Sequence, residues 1–205
     1  MKRIFSLLIG VLLTLSLTSC AIWQTADKNT ISPTQLTDRE KSLLSLTDNQ
    51  CFVFDINVDE SYNSVTVWEE RYEYGKKVSE ACNLSTGIVQ NKKNMLFALI
   101  SKSDDKNADW SIAASTDGST ASAKFTEAFS GSMTSKMTGM NNLKKIPITS
   151  NEIVLAYICY NDKNKGMASL SEEFFKNPAK NMKEIADYQL VFLLKCKFSK
   201  DDLKK

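Results

Sequence analysis

From Cys51 onward, short stretches alternate apolar and polar residues with a period of two, and that rhythm confines the chain to pleated structure. In "CFVFDINV", residues 51–58, Phe52, Phe54, Ile56 and Val58 share one face while Asp55 and Asn57 share the other. Neighbouring side chains of a strand point to opposite faces, so this stretch buries one side and wets the other. "SVTVWEERYEY" follows after the turn-like "DESYN", and the two stretches are predicted to form a hairpin. "NMLFALIS", "DWSIAAS" and "TASAKFTEAF" read as three more strands, divided by the turn residues of "KSDDKNA" and "TDGS". "SGSMTSKMTGMNNLKK", residues 130–145, is polar and is predicted to be a long surface loop. The uninterrupted apolar run in "NEIVLAYICYND", residues 151–162, predicts a strand covered on both faces. "YQLVFLLKCKF" supplies the last strand.

Helix signals are few. Thr37 and Glu40 have capping-box spacing, which predicts a short helix after them. Ser169 and Glu172 repeat that spacing, and Asn177 precedes Pro178 in the order of an N-cap and first helical residue. Two short helices over 170–176 and 178–186 are therefore expected, since one straight helix does not run through Pro178. About eight closely spaced strands with helix only near the end predict a mainly β fold, an antiparallel β-sandwich. The alternative is an α+β fold with helices on one sheet face.

The first twenty residues follow different rules. Lys2 and Arg3 precede a run from Ile4 to Leu17 that is interrupted only by Ser6, Gly10, Thr14 and Ser16. A bilayer core of about 30 Å takes roughly 20 apolar residues to span, so this shorter run reads as an export signal. Leu17-Thr18-Ser19-Cys20 resembles the lipobox of bacterial prolipoproteins. The resemblance implies a signal peptide over 1–19, a diacylglyceryl group on the Cys20 thiol with acyl chains of the palmitate type, and cleavage before Cys20. Two or more such chains make a persistent membrane anchor. Residues 20–48, which include Trp23 and Pro33, are expected to be a lipidated tether with the short helix, reaching roughly 30 Å if flexible. A β-rich domain over 49–200 and a solvated tail over 201–205 complete the expected organisation.

Composition excludes several function classes. Removal of residues 1–19 leaves 24 basic and 24 acidic side chains, so nothing in the charge balance calls for nucleic acid. The chain has no histidine, which removes Ser–His–Asp and Cys–His catalysis, imidazole zinc sites and the usual general base near neutral pH. Carboxylate pairs and Ser–Lys dyads remain open to it. Cys51, Cys82, Cys159 and Cys196 form either two disulfides, in one of three connectivities, or a set of buried thiols. Antiparallel pairing of first and last strands would bring Cys51 near Cys196, whereas a parallel crossover would join Cys159 to Cys196.

Three groups stand out as candidate sites. Trp68, Tyr72 and Tyr74 share one strand parity and Val65 and Val67 the other, so an inward valine face would leave an aromatic platform for a peptide or glycan, whereas inward aromatics, or a bulge near Glu69–Glu70 that switches parity, would make them core residues. Met133, Met137 and Met140 are soft ligands that align on one side if their segment is helical, a Cu(I) alternative to simple packing. The acidic sets Asp55/Asp59/Glu60, Glu69/Glu70/Glu73 and Asp104/Asp105/Asp109 lack the spacing of a calcium loop or an identifiable glycosidase pair. The expectation is a lipoprotein on the extracytoplasmic side of the cell membrane, acting without catalysis or cofactor as a binding module for an extracellular protein or glycan. The alternatives are an extracytoplasmic hydrolase using carboxylates or a Ser–Lys pair, and a soft-metal-handling lipoprotein.

Overall fold

A computed structural model describes residues 28–46, 50–90, 92, 94–102, 107–128, 135–149, 151–162 and 166–201. The expected signal peptide over 1–19, Cys20, Trp23, Met133, Asp104 and Asp105 lie outside those residues. Two antiparallel sheets face each other. The first contains β1 (Thr30–Pro33), β2 (Gln50–Asn57), β5 (Asn94–Lys102), β6 (Asn107–Thr116), β7 (Ser119–Ala128) and β9 (Ile146–Pro147), in the order β7-β6-β5-β2-β1-β9. The second contains β3 (Ser64–Glu73), β4 (Lys76–Gly87), β8 (Ser135–Met140), β10 (Ile153–Asn161) and β11 (Leu190–Ser199), in the order β4-β3-β11-β10-β8. The fold is the expected β-sandwich.

Its interior is filled by the apolar halves of the alternating strands. Phe52, Phe54 and Ile56 from β2 meet Val65 and Val67 from β3 and Phe192, Leu194 and Phe198 from β11. Trp110 sits at the centre, stacked on Phe125 at 5.8 Å and edge-on to Phe192 at 5.7 Å. The second sheet carries another core on its outer face, where Val154, Tyr157, Cys159, Val191 and Leu193 pack beneath Leu170, Phe174, Ile185 and Tyr188. Residues 166–189 thus form a strap over that face, holding α2 (Glu172–Lys176), α3 (Pro178–Asn181) and a 3₁₀ turn (Met182–Ile185). The strap explains why β10 is buried throughout: both of its faces are covered.

Local signals account for most turns and caps. Tyr74–Gly75 and Asp117–Gly118 all take positive φ, the backbone that suits tight hairpins and that glycine adopts without strain. The helix after Thr37, α1 (Asp38–Ser45), has the full capping box, with Glu40 accepting from the Thr37 amide at 2.7 Å. In α2 the cap is Ser171 rather than Ser169: its hydroxyl accepts from the Phe174 amide at 3.1 Å. The Asn177 side chain caps nothing, although Pro178 does open α3.

Several expectations need correction. Residues 30–33 are not tether, because β1 is inserted between β2 and β9, pairing Ile31 with Ile56 and with Ile146. A four-residue strand has too little pattern to be separated from linker by periodicity. β2 and β3 are not a hairpin; residues 58–63 carry the chain from one sheet to the other, with the Tyr62 hydroxyl donating to the Ile148 carbonyl at 3.2 Å. Both strands bury the same kind of face, and parity does not say which sheet a strand joins. The hairpin partner of β3 is β4, which is mostly exposed and so lacks an apolar signature. The expected loop over 130–145 contains β8, an edge strand paired with β10.

The disulfide reading is also corrected: all four described cysteines are free. Cys51 and Cys196 lie in different sheets. Cys159 and Cys196 are on neighbouring strands but pair with Val191 and Ile153, and they pack in the cores on opposite faces of the sheet.

Candidate functional site: a charged cleft on the outer face of the second sheet

The pairing of β3 with β11 fixes which β3 side chains face out. Val67, Glu69 and Arg71 lie opposite Cys196, Leu194 and Phe192, on the side facing the first sheet. Trp68, Glu70 and Tyr72 lie opposite Lys195, Leu193 and Val191, on the outer side. The valines therefore face inward, but the outer aromatics form no platform. Trp68 and Tyr72 are only 5% and 6% exposed, Tyr72 packed under the strap and Trp68 bonded to Glu70, and Tyr74 alone is open, in the hairpin turn.

Glu70 is the centre of the outer arrangement. One carboxylate oxygen accepts from Lys77 Nζ at 2.6 Å and Trp68 Nε1 at 3.3 Å. The other accepts from the Tyr72 hydroxyl at 2.6 Å and pairs with Lys195 Nζ at 2.7 Å. Burial alone would push this carboxyl up, but the hydrogen bonds from Lys195, Lys77 and Tyr72 outweigh it and hold the group at about 2. Tyr72 is pushed up in turn, first by burial and then by donating to Glu70. The network extends outward at both ends: Lys77 reaches Glu80 at 2.8 Å and Lys195 reaches Glu152 at 3.1 Å. The result is an alternating row, Glu80–Lys77–Glu70–Lys195–Glu152.

At the Glu152 end the row opens into a cleft of about 560 Å³. Tyr72, Val154 and Lys195 form its sheet side, and Lys176, Pro178 and Met182 form its strap side. Lys176 is itself held between Glu172 at 2.9 Å and Glu173 at 3.1 Å. The cleft is thus part apolar wall and part paired charge, the mixture that small-ligand sites use to combine burial with orientation.

A family model described as the YgaN domain matches residues 30–198. The chain belongs to the YgaN domain family. The matched span starts at the first residue of β1 and ends within β11, so the YgaN domain coincides with the complete sandwich, β1 included. No match was found among curated proteins or among solved structures.

Other sequence candidates within the YgaN domain do not converge. Met137 packs with the outer core and Met140 with the inner one, because residues three apart on a strand point to opposite faces. The helical alignment that would have gathered them is absent, and no group of three or more His, Cys, Asp or Glu suited to a metal occurs among the described residues. Asp59 accepts from Asn29 at 3.0 Å and from the Ser61 amide at 2.8 Å, a loop brace, and Asp109 accepts from Thr126 at 2.6 Å. Sequence reading passed over Lys195, Lys77 and Glu152. The available signal was a charge within a strand: Lys195 interrupts an apolar run, and Glu69–Glu70 lie inside the pattern of β3.

Proposed function

We propose that this chain is a lipid-anchored, extracytoplasmic and non-catalytic binding module, attached through Cys20 and engaging its ligand at the cleft beside Lys195. The observation that carries the binding reading is the commitment of the cleft's charges to one another. Lys195 is shared by Glu70 and Glu152, and Lys176 by Glu172 and Glu173. Acid–base catalysis needs a group that exchanges its proton near working pH, whereas Glu70 is fixed in its ionised form by four donors. The carboxyl that does hold its proton, Glu69, is fully buried on the opposite side of the sheet. A carboxylate hydrolase would need those two states side by side in one accessible cleft.

The lipid anchor is supported by the leader and by the Leu17–Cys20 motif. Intact mass of the detergent-extracted protein tests it. The expected species begins at Cys20 and carries diacylglyceryl mass, and Cys20→Ser moves the protein from the detergent phase to the aqueous phase. A full-length, unmodified chain overturns the anchor.

A further inference from the structure

We propose that the cleft beside Lys195 takes an aliphatic cation, a primary ammonium or guanidinium on a short methylene stem, and that Glu152 receives the charge. The inference deepens the binding reading above and rests on it. Three lysines belong to the cleft and its charged row, and each is held between two carboxylates: Lys77 by Glu70 and Glu80, Lys195 by Glu70 and Glu152, Lys176 by Glu172 and Glu173. Five glutamates therefore surround three lysines, and of these Glu152, Lys176 and Lys195 line the cleft itself. An incoming anion would reach Lys195 or Lys176 only by displacing a carboxylate already in place. An incoming cation can meet the other oxygen of Glu152 without displacing Lys195 from Oε2.

Glu152 is the acceptor with room to act. Its side chain is 51% exposed, only Oε2 is engaged, and the other oxygen has no partner among the described residues. Lys195, anchored from behind by Glu70, fixes the orientation of the Glu152 carboxylate. Val154 and the Tyr72 ring on the sheet side, with Met182 and Pro178 on the strap side, supply the apolar walls. A stem of several methylenes lies against such a wall while its charged end stays at the polar side, as lysine and arginine stems do on protein surfaces. Bare ammonium offers no stem to that wall. The same chemistry occurs on a free diamine and on a lysine or arginine side chain of another polypeptide.

The test uses the mature full-length chain in nonionic detergent, with ¹³C-methyl methionine. Met182 lines the cleft and reports binding there, while Met140, packed against the inner core, is the internal reference. The probes are cadaverine, acetyl-Gly-Lys-Gly-amide, its norleucine counterpart, and the dianion pimelate. The expected result is a saturable Met182 shift with cadaverine and the lysine peptide, with Met140 unmoved and no response to norleucine or pimelate. Glu152→Gln weakens the response about tenfold, the effect of losing one charge-assisted contact. Tighter binding of the lysine peptide assigns a polypeptide ligand, and tighter binding of cadaverine assigns a free amine. The proposal is overturned by silence of Met182 toward both cations, by equal binding in Glu152→Gln, or by preference for pimelate. Recovery of a chemically altered probe would instead overturn the non-catalytic reading and leave cation selectivity standing.

Discussion

Glu69 and Glu70 are neighbours on one strand, at 0% and 3% exposure, and they are in opposite chemical states. Glu70 faces outward into two lysines, a tyrosine and a tryptophan, and stays ionised. Glu69 faces inward, and neither of its oxygens has a partner among the described residues. Burial first, then the nearby Glu127, pushes it up to about 9 against the opposing pull of Arg71. Arg71 is already engaged with Glu73, Glu127 and the Ala128 carbonyl. Both are closed off from solvent, but Glu69 lies deeper and has no donor while Glu70 has four, so depth and donors together decide which carboxylate keeps its charge.

The strongest way to break this contrast is Glu70→Gln. The change leaves Lys195 with only the more exposed Glu152, and one-sided loss of a buried ion pair costs about 3 kcal/mol. Chemical denaturation at pH 7 should show that loss. The pH profile should change with it, because a carboxyl held at about 2 contributes stability that is present above 4.5 and disappears as pH falls toward 2. In Glu70→Gln that acid-side loss is missing. A variant as stable as the parent would mean that the row of charges is ornamental.

Glu69→Leu should move stability the other way, raising it by about 2 kcal/mol by removing an unpartnered buried carboxyl. Its pH signature is opposite as well. The folded state keeps this proton up to about 9 while the unfolded chain releases it near 4.5, so the parent loses stability as pH rises across that window. Denaturation midpoints measured at several pH values should lose that part of the slope in Glu69→Leu. Retention of the slope would place its origin elsewhere. Tyr72→Phe is the finest of the three tests. It removes one of four donors to Glu70, for a loss of about 1 kcal/mol, and should shift the Glu70 titration upward in carboxyl-resolved NMR without abolishing its charge.

The same contrast shows how far the sequence was legible. Alternation in β2 and β6 disclosed strands and their buried faces, because one side of each meets a core, and continuous apolar runs disclosed β10 and β11, which are covered on both faces. It did not disclose β4, whose side chains are mostly exposed or half-exposed, or β1, which spans four residues. The parity of Trp68, Tyr72 and the valines was readable, but the strap that closes the aromatic face was not. Covering that face depends on Leu170, Phe174 and Ile185, more than ninety residues away in the chain. The cleft was unreadable for the same reason: Lys77, Glu70, Lys195 and Glu152 come from separated segments that meet only when β3, β4, β10 and β11 share a sheet.

The strand order of the second sheet also governs when this molecule can become itself. β11, the last strand in the chain, is not an edge but lies between β3 and β10. Until the ribosome has released it, β3 and β10 have no common neighbour, Glu70 has no Lys195, and the strap has no complete face to cover. Closure must wait for contacts far apart in the chain, which makes it slow. A sheet whose keystone strand follows all the others closes in one late step rather than strand by strand.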